Sequence, residues 1–235
     1  MVPPTDPLGL PPHITACLFD LDGVITQTAT VHAQAWKKVF DEFHIPFQLP
    51  DDYDAYVDGK PRADGVRSVL AAKNLNANED LVEQIAARKD DLFLHLIHQH
   101  GVETYPSSVD YVNAVKQSGR KAAVVSSSKN TTEVLKAAKL HHLFDAQMDG
   151  IVAEREQLHG KPAPDTYLKA AQMLQTKAED AAVYEDALAG VEAGRAGHFG
   201  MVIGVDRAGQ AGALKEHGAD VVVQDLQELL AGARP

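Results

Sequence analysis

Two carboxylates, one residue apart, stand where an apolar run of the chain ends. The run, residues 14–19, is short, continuous and rich in β-forming residues, which predicts a buried strand. Asp20 and Asp22 follow it, and Gly23 allows the chain to turn away sharply. In an open parallel sheet, reactive groups lie at the carboxyl ends of strands. We therefore expect an acidic site here, provided that later strands bring partners to it.

Three later segments carry polar residues that complement these carboxylates. A serine-rich turn follows the strand predicted at 122–125 and consists of Ser126, Ser127, Ser128, Lys129 and Asn130. Lys161 lies in a loop that contains two prolines, and Glu185 and Asp186 follow the strand predicted at 181–184. If these strands are neighbours in one sheet, all of these side chains meet at one edge.

The residue types at this edge suit phosphoryl transfer. Carboxylates such as Asp20 and Asp186 are ligands that Mg²⁺ prefers. The metal and Lys161 can neutralise a phosphate that lies against a carboxylate nucleophile. Hydroxyl and backbone N–H groups at Ser126 and Ser127 can bind its oxygens. One carboxylate can attack phosphorus while its neighbour transfers the proton.

The surrounding pattern predicts an α/β fold with two parts. From residue 101 onward, predicted strands alternate with helices, which is typical of a doubly wound, Rossmann-like parallel sheet. We expect residues 13–29 and 101–235 to form this core. Residues 30–100 show helical periodicity with little strand signal and are predicted to form a small all-helical cap. The proline-rich residues 1–12 are predicted to be a flexible tail.

Composition excludes several classes of function. The formal net charge of -11 disfavours sequence-independent nucleic-acid binding but still allows a few local cations to hold an anionic substrate. The single cysteine, Cys17, excludes a disulfide framework and favours a cytoplasmic location. No apolar run approaches the roughly 18 residues of a membrane span, and the N-terminus lacks the basic residues of a signal peptide.

The order of these motifs resembles that of the haloacid dehalogenase superfamily, and the resemblance covers nearly the whole chain after residue 12. The matching motifs are Asp20-Leu21-Asp22-Gly23-Val24, Ser126, Lys161 and Glu185-Asp186. The resemblance implies that Asp20 is the nucleophile and forms an aspartyl-phosphate. It also implies that Asp22 is the general acid/base and binds Mg²⁺ through its backbone carbonyl. The side chains of Asp20 and Asp186 would hold the metal, with Glu185 at or close to it.

Longer stretches resemble the β-phosphoglucomutase-like subgroup of that superfamily. They are residues 20–32, 126–130 and 161–165. The resemblance implies interconversion of β-D-glucose 1-phosphate and D-glucose 6-phosphate through β-glucose 1,6-bisphosphate. It also implies two phosphate sites. The transfer site would contain Asp20, Ser126, Ser127 and Lys161. The distal site would contain Arg62, Ser128, Lys129 and Asn130.

The same resemblance assigns three residues near the junction of the cap with the core. His32 would contact Asp22 or the sugar, Lys89 would contact the sugar, and Thr28 would lie in the hinge near Asp22. A cap that closes over the site would exclude water and allow the enzyme to work as a monomer. Without the resemblance, Arg62 and Lys89 read as ordinary charged positions on helices.

Two other functions stay open. A phosphatase that acts on sugar phosphates or other small phosphomonoesters needs only one phosphate site. A non-catalytic binding protein is disfavoured because both Asp20 and Asp22 are retained. The sequence also departs from the subgroup at Asp58, Ser127 and Ala187. Asp58 could alter substrate choice, whereas the Ser127 hydroxyl is expected to matter little if its backbone N–H does the work.

Overall fold

The computed structural model of the protein describes residues 6–230. Its core is a six-stranded sheet in which all neighbouring strands are parallel, in the order β3-β2-β1-β4-β5-β6. The strands are β1 (Ala16–Asp20), β2 (Lys121–Val125), β3 (Ala146–Met148), β4 (Ala181–Glu185), β5 (Met201–Val205) and β6 (Val221–Val223). The predicted doubly wound α/β fold is confirmed.

Helices connect the strands and build the cap. Those between β1 and β2 are α1 (Thr28–Glu42), α2 (Asp51–Tyr56), α3 (Arg62–Ala72), α4 (Glu79–His100) and α5 (Pro106–Gln117). Those that follow are α6 (Thr131–Ala137), α7 (Gly150–Arg155), α8 (Asp165–Met173), α9 (Leu188–Ala196) and α10 (Ala211–Glu216). None of the helices within residues 6–230 combines the length and the apolar character that crossing a membrane requires.

The sequence predicted most of these elements but missed α2 and α7. Each has only six residues, which is too short for a helical periodicity to emerge. The side chain of Asp149 caps α7 by accepting hydrogen bonds from the backbone N–H groups of Ile151 and Val152. The start of α7 was not evident in the sequence because its cap residue, Asp149, is extended and the next residue, Gly150, is small.

Strand β1 occupies the centre of the sheet because it is apolar on both faces. Cys17 and Phe19 pack into the hydrophobic core on one side, and Ala16 and Leu18 pack into the core on the other. The strand order reverses between β1 and β4, which makes this the point where open α/β sheets bind ligands. Asp20, the last residue of β1, therefore lies at the switch point.

Residues 6–12 pack against the core, in contrast to the flexible tail predicted for residues 1–12. Leu8 and Leu10 are 1% and 4% exposed, and the Tyr111 hydroxyl donates a hydrogen bond to the Leu8 carbonyl at 2.8 Å. Asp6 forms an ion pair with Arg120. The high proline content indicated a flexible tail, whereas the burial of Leu8 and Leu10 depends on tertiary contacts that the sequence does not show. Residues 1–5 lie outside the described residues.

Candidate active site

The predicted motifs meet at the carboxyl edge of the sheet. Strand β1 lies between β2 and β4, so the residues that follow these three strands are neighbours in space. The buried ammonium group of Lys161 contacts Asp20 Oδ1 and lies 2.5 Å from Glu185 Oε1. The loop that carries Lys161 thus delivers a cation to carboxylates from two neighbouring strands.

Three carboxylates form a cluster that suits a hard cation. Oxygens of Asp20, Glu185 and Asp186 all lie within 4.8 Å of one another. These are the donors that Mg²⁺ prefers, so the residues present fit the predicted ion. Gly23 makes the cluster possible, because a Cβ at this position would lie 1.7 Å from Asp186 Oδ2. Its φ of +89° also favours glycine.

The charge of Lys161 is fixed by its two acidic neighbours. Burial alone would lower the pKa of Lys161, but Asp20 and Glu185 outweigh burial and raise it above its usual value. Burial and the repulsion of Glu185 raise the pKa of Asp20, and Lys161 opposes that shift. Lys161 is therefore held as an ammonium group in direct contact with Asp20.

Glu185 is fully buried and its oxygens are already engaged. Oε1 accepts a hydrogen bond from the Tyr167 hydroxyl at 2.8 Å and lies beside Lys161, while Oε2 accepts one from the Ala187 backbone N–H at 3.2 Å. Gly190 leaves room for this carboxylate, since a Cβ there would lie 1.8 Å from Oε1. Glu185 therefore fixes Lys161 in addition to completing the acidic cluster. No motif in the sequence indicated Tyr167, a buried residue in the first turn of α8.

Asp22 lies at the junction of the cap with the core, close to Thr28 and His32. Its Oδ1 accepts a hydrogen bond from Thr28 and lies 3.4 Å from His32 Nε2, and its Oδ2 lies 3.4 Å from the Ser126 hydroxyl. Burial would raise the pKa of Asp22, but His32 and Thr28 outweigh it and lower the pKa to about 2. Asp22 is therefore a carboxylate that can accept a proton from a nearby hydroxyl.

Lys89 is buried against the same junction. Its Nζ lies 2.5 Å from His32 Nδ1 and about 5 Å from the ring centroids of Trp36 (5.1 Å) and Phe93 (4.9 Å). Burial and the neighbouring Arg62 lower the pKa of Lys89 to about 7. Contacts therefore run from Lys89 in the cap through His32 to Asp22 in the core, and all three are predicted site residues.

The predicted distal site is only partly assembled. Arg62 Nη2 pairs with Asp90 Oδ1 at 2.5 Å, and the Asn130 side-chain amide donates to the same oxygen at 2.6 Å. Lys129 lines the same cavity but is half exposed and pairs with Glu154 at 2.7 Å. Asp90 directly follows Lys89, but a carboxylate is not a residue type that indicates a phosphate site in a sequence.

The serine-rich turn holds itself in place and also touches the cap. The Ser126 hydroxyl accepts a hydrogen bond from the backbone N–H of Ser128, whose hydroxyl accepts one from the N–H of Asn130, both at 3.1 Å. The Ser127 hydroxyl donates to the Gly59 carbonyl of the cap at 2.7 Å. The hydroxyl of Ser127 therefore has a structural partner, in contrast to the expectation that it matters little.

A cavity of about 1040 Å³ lies between the cap and the edge of the sheet. Asp20, Lys161 and Asp186 line its core side, and Arg62 lines its cap side. Asp58 also reaches the cavity from the cap, where burial and the repulsion of Glu185 raise its pKa to about 7. The space is large enough for a sugar that carries two phosphates, since ligand cavities of roughly 300–1,000 Å³ hold drug-sized molecules.

Residues 14–198 match the family described as haloacid dehalogenase-like hydrolase, in agreement with this fold and these motifs. The chain belongs to this family. Among its relatives is a β-phosphoglucomutase of Mycobacterium bovis, which is 44% identical over 95% of this chain and 94% of the relative. A fructose-1-phosphate phosphatase of Escherichia coli is 32% identical over 76% of this chain and 90% of its own length.

A solved structure supports the same fold. The β-phosphoglucomutase of Clostridium difficile superposes with a TM-score of 0.80, at 27% sequence identity, over 92% of this chain and 93% of that one. The relatives thus include both a mutase and a sugar-phosphate phosphatase on one scaffold. Site chemistry, rather than the fold, has to separate the two.

Proposed function

We propose that this chain is a Mg²⁺-dependent β-phosphoglucomutase that interconverts β-D-glucose 1-phosphate and D-glucose 6-phosphate through β-glucose 1,6-bisphosphate. The observation that carries the proposal is a second cationic group, Arg62, in the same cavity as the Asp20–Lys161 pair. A mutase must hold one phosphate of the bisphosphate while the other reacts. The 44% identity to a curated β-phosphoglucomutase supports the same conclusion.

Asp20 acts as the nucleophile in this proposal. One Asp20 oxygen attacks phosphorus, the new O–P bond forms an aspartyl-phosphate, and the bond from phosphorus to the sugar oxygen breaks. Lys161 neutralises charge on the phosphoryl oxygens, and Ser126 contributes donors from the turn after β2. Mg²⁺, held by Asp20, Asp186 and the neighbouring Glu185, would supply further positive charge at the phosphoryl group.

Asp22 moves the proton. When the sugar hydroxyl attacks the aspartyl-phosphate, Asp22 accepts the hydroxyl proton, and in the reverse half-reaction it returns that proton to the leaving sugar oxygen. Thr28 and His32 hold its carboxylate at the junction of the cap with the core. Because His32 belongs to the cap and Thr28 to the hinge before it, the contact of His32 with Asp22 depends on the position of the cap.

The distal phosphate would be held by the polar groups around Arg62. Arg62 suits a phosphate because its guanidinium offers two parallel donors. The Asn130 amide donates to the same Asp90 oxygen that pairs with Arg62, and Ser127 and Ser128 of the serine-rich turn line the cavity. Lys89 and His32 would contact the sugar between the two phosphates. Lys129 would have to leave Glu154 to take part.

The alternative is a phosphatase that acts on sugar phosphates. A specific observation favours it. The Asp90 carboxylate already pairs with the Arg62 guanidinium, so an incoming phosphate has to compete with Asp90 for Arg62. The identity to a fructose-1-phosphate phosphatase supports the same alternative. A phosphatase would pass the phosphoryl group from Asp20 to water and would need no bisphosphate.

One assay separates the two functions. β-Glucose 1-phosphate is supplied with Mg²⁺ and a trace of the bisphosphate, and glucose 6-phosphate and free phosphate are measured in parallel. The mutase predicts glucose 6-phosphate with little free phosphate, and Asp20→Asn should lower this turnover by at least about 10³-fold. Free phosphate as the main product would instead establish the phosphatase.

A variant in the distal site tests the second phosphate contact. Arg62→Ala should lower mutase turnover far more than hydrolysis of a small phosphate ester that carries only one phosphate. Arg88→Ala is a matched control, because Arg88 lies on the cap helix α4 but pairs at the surface with Glu42. Equal losses in both reactions for Arg62→Ala would contradict a dedicated distal site.

A further inference from the structure

One loop that follows β5 contacts the backbone of both acidic segments of the site. This loop, residues 206–210, begins directly after the strand and belongs to none of the motifs that define the site. Arg207 Nε donates a hydrogen bond to the Gly23 carbonyl at 2.8 Å. The Gln210 side-chain amide donates one to the Asp186 carbonyl at 3.1 Å. The two segments that carry the metal-binding carboxylates are therefore tied to a common third element.

The position of Gly23 decides where the carboxylate of Asp186 can lie. A Cβ on Gly23 would fall 1.7 Å from Asp186 Oδ2, so the glycine backbone and this carboxylate are in direct contact. Arg207 holds the glycine from one side, and Gln210 holds the backbone of Asp186 from the other. A shift of either segment would change the spacing of the acidic cluster.

Arg207 is itself fixed by its surroundings. Its Nη1 donates to the Gln224 carbonyl at 2.9 Å, and its guanidinium carbon lies 3.6 Å from the ring centroid of Tyr105. Tyr105 belongs to the chain segment that returns from the cap, where its N–H donates to the Ile25 carbonyl. Nη2 is buried and has no hydrogen-bond partner within residues 6–230.

The loop that carries Arg207 and Gln210 is also anchored at both ends. The backbone N–H of Asp206 donates to the Val223 carbonyl, and its Oδ1 accepts from the backbone N–H of Gln210, both at 2.7 Å. This rigidity allows the loop to act as a support, because groups that orient metal ligands must themselves be fixed.

We propose that Arg207 and Gln210 are positioning residues that set the geometry of the acidic cluster and thereby its affinity for a divalent cation. They act through the backbone at Gly23 and Asp186 and touch neither substrate nor phosphate. The inference rests on the metal site of the proposed function. Removing groups that orient metal ligands typically lowers metal affinity by about 10- to 100-fold.

The test measures binding of Mn²⁺, as a spectroscopic substitute for Mg²⁺, to the metal-free full-length protein by electron paramagnetic resonance and calorimetry. Arg207→Met removes both backbone hydrogen bonds while keeping an apolar stem against Tyr105. We expect its Kd for Mn²⁺ to rise by about 10-fold or more. Gln210→Met tests the second contact, and the same direction is expected.

Arg120→Met is the matched control. Arg120 Nε also donates to a backbone carbonyl at 2.8 Å, that of Ile14, but at the opposite end of β1. Its loss, which also removes the Asp6 ion pair, should lower the thermal midpoint and leave the Kd for Mn²⁺ unchanged. Arg207→Lys, which keeps the charge and one donor, should recover part of the affinity.

The outcomes separate this inference from the proposed function. The positioning role alone would be overturned if the wild-type protein binds Mn²⁺ and the folded variants Arg207→Met and Gln210→Met bind it equally well. An equal loss of affinity in Arg120→Met would also overturn it, since the effect would then follow general stability. Both the positioning role and the proposed function would be overturned if the wild-type protein has no Mn²⁺ site whose affinity falls in Asp186→Asn. If Arg207→Met does not fold, Gln210→Met gives the same decision.

Discussion

The hydroxyl of Ser127 lies 2.7 Å from the carbonyl oxygen of Gly59 and donates a hydrogen bond from the core to the cap. Gly59 has a φ of +68°, and a Cβ there would lie 3.2 Å from the methyl group of Ala187. Ser127, Ala187 and the loop around Gly59 are the three places where the sequence is expected to depart from the subgroup that it resembles. Ser127 and Ala187 both lie against the loop at Gly59, so all three positions belong to one docking point for the cap.

Ser127→Ala should weaken this docking point. A neutral hydrogen bond contributes about 0.5–1.5 kcal/mol, which corresponds to a shift of roughly 2- to 12-fold toward an open cap. We expect faster hydrogen exchange at residues 57–61 and a higher ratio of free phosphate to sugar phosphate product, because an open cap admits water to the aspartyl-phosphate. Exchange mass spectrometry and product analysis provide the measurements.

Ser118→Ala is the control for this variant. The Ser118 hydroxyl also donates to a backbone carbonyl, that of Val115 at 2.6 Å, but it does so at the end of α5. It should leave both readouts unchanged. A Ser127→Ala protein with wild-type exchange in the cap would show that the hydrogen bond does not hold the cap in solution.

Asp90→Asn should strengthen anion binding at the distal site. The carboxylate of Asp90 neutralises Arg62, and the amide keeps an oxygen that the side chain of Asn130 can donate to. Removing one negative charge beside an incoming phosphate favours binding, because like charges repel and solvent at the cavity screens that repulsion only in part. We expect the Kd for a sugar bisphosphate to fall several-fold, measured by calorimetry.

The opposite result would identify a different role for Asp90. Weaker binding in Asp90→Asn, comparable to that of Arg62→Ala, would mean that Asp90 orients the guanidinium for phosphate rather than competing with it. Asp91→Asn, one residue along the same helix, is the control for a general change in the charge of the cap. It should leave the affinity for bisphosphate near that of the wild type.

The sequence predicted the core of the candidate site because strand ends concentrate polar residues. Asp20, Ser126 and Glu185 each stand at or directly after an apolar strand, and a parallel sheet brings such positions together. The same rule applies to Arg207, which follows β5 in the pair Asp206-Arg207. Its role was not predicted because Arg207 contacts backbone carbonyls, and contacts with backbone carbonyls leave no pattern in the sequence.

The cap was harder to predict in detail. Its helices have a clear period, but the partner of Arg62, like that of Lys129 in the core, depends on which side-chain rotamer meets which carboxylate. Asp90 is a half-buried and Glu154 an exposed acidic position in a helical pattern, and nothing in their spacing indicates these pairs. Pairing between distant elements is a property of the folded surface.

Lys89→Met should reveal a pH-dependent difference in stability. Burial lowers the pKa of Lys89 in the folded protein to about 7, whereas an unfolded lysine has a pKa near 10.4. Between these values the unfolded chain binds more protons, so the contribution of Lys89 to stability rises with pH and is least favourable below pH 7. The stability advantage of Lys89→Met over the wild type should therefore be largest below pH 7.

This advantage should shrink from pH 7 to about pH 10, with a slope of at most about 1.4 kcal/mol per pH unit. Urea unfolding of both proteins across this range gives the difference directly. Lys129→Met, which removes a surface lysine paired with Glu154, should show no comparable slope. A constant difference between wild type and Lys89→Met would contradict the lowered pKa.

Leu8→Ala tests whether the N-terminal segment is part of the folded core. Leu8 is 1% exposed, and its carbonyl accepts the hydrogen bond of Tyr111, whose hydroxyl also lies 2.9 Å from that of Tyr184. Truncating a buried leucine lowers the free energy of unfolding by about 2–5 kcal/mol, because apolar contacts are lost and a cavity remains.

The measurement is a urea titration in which the midpoint falls and the slope stays constant. Leu49→Ala is the matched control, since Leu49 is 42% exposed and its truncation should change stability by no more than about 0.5 kcal/mol. Both variants should keep wild-type turnover while folded, because Leu8 and Leu49 lie outside the cavity. A Leu8→Ala protein as stable as Leu49→Ala would show that residues 6–12 contribute nothing to the fold, as a flexible tail requires.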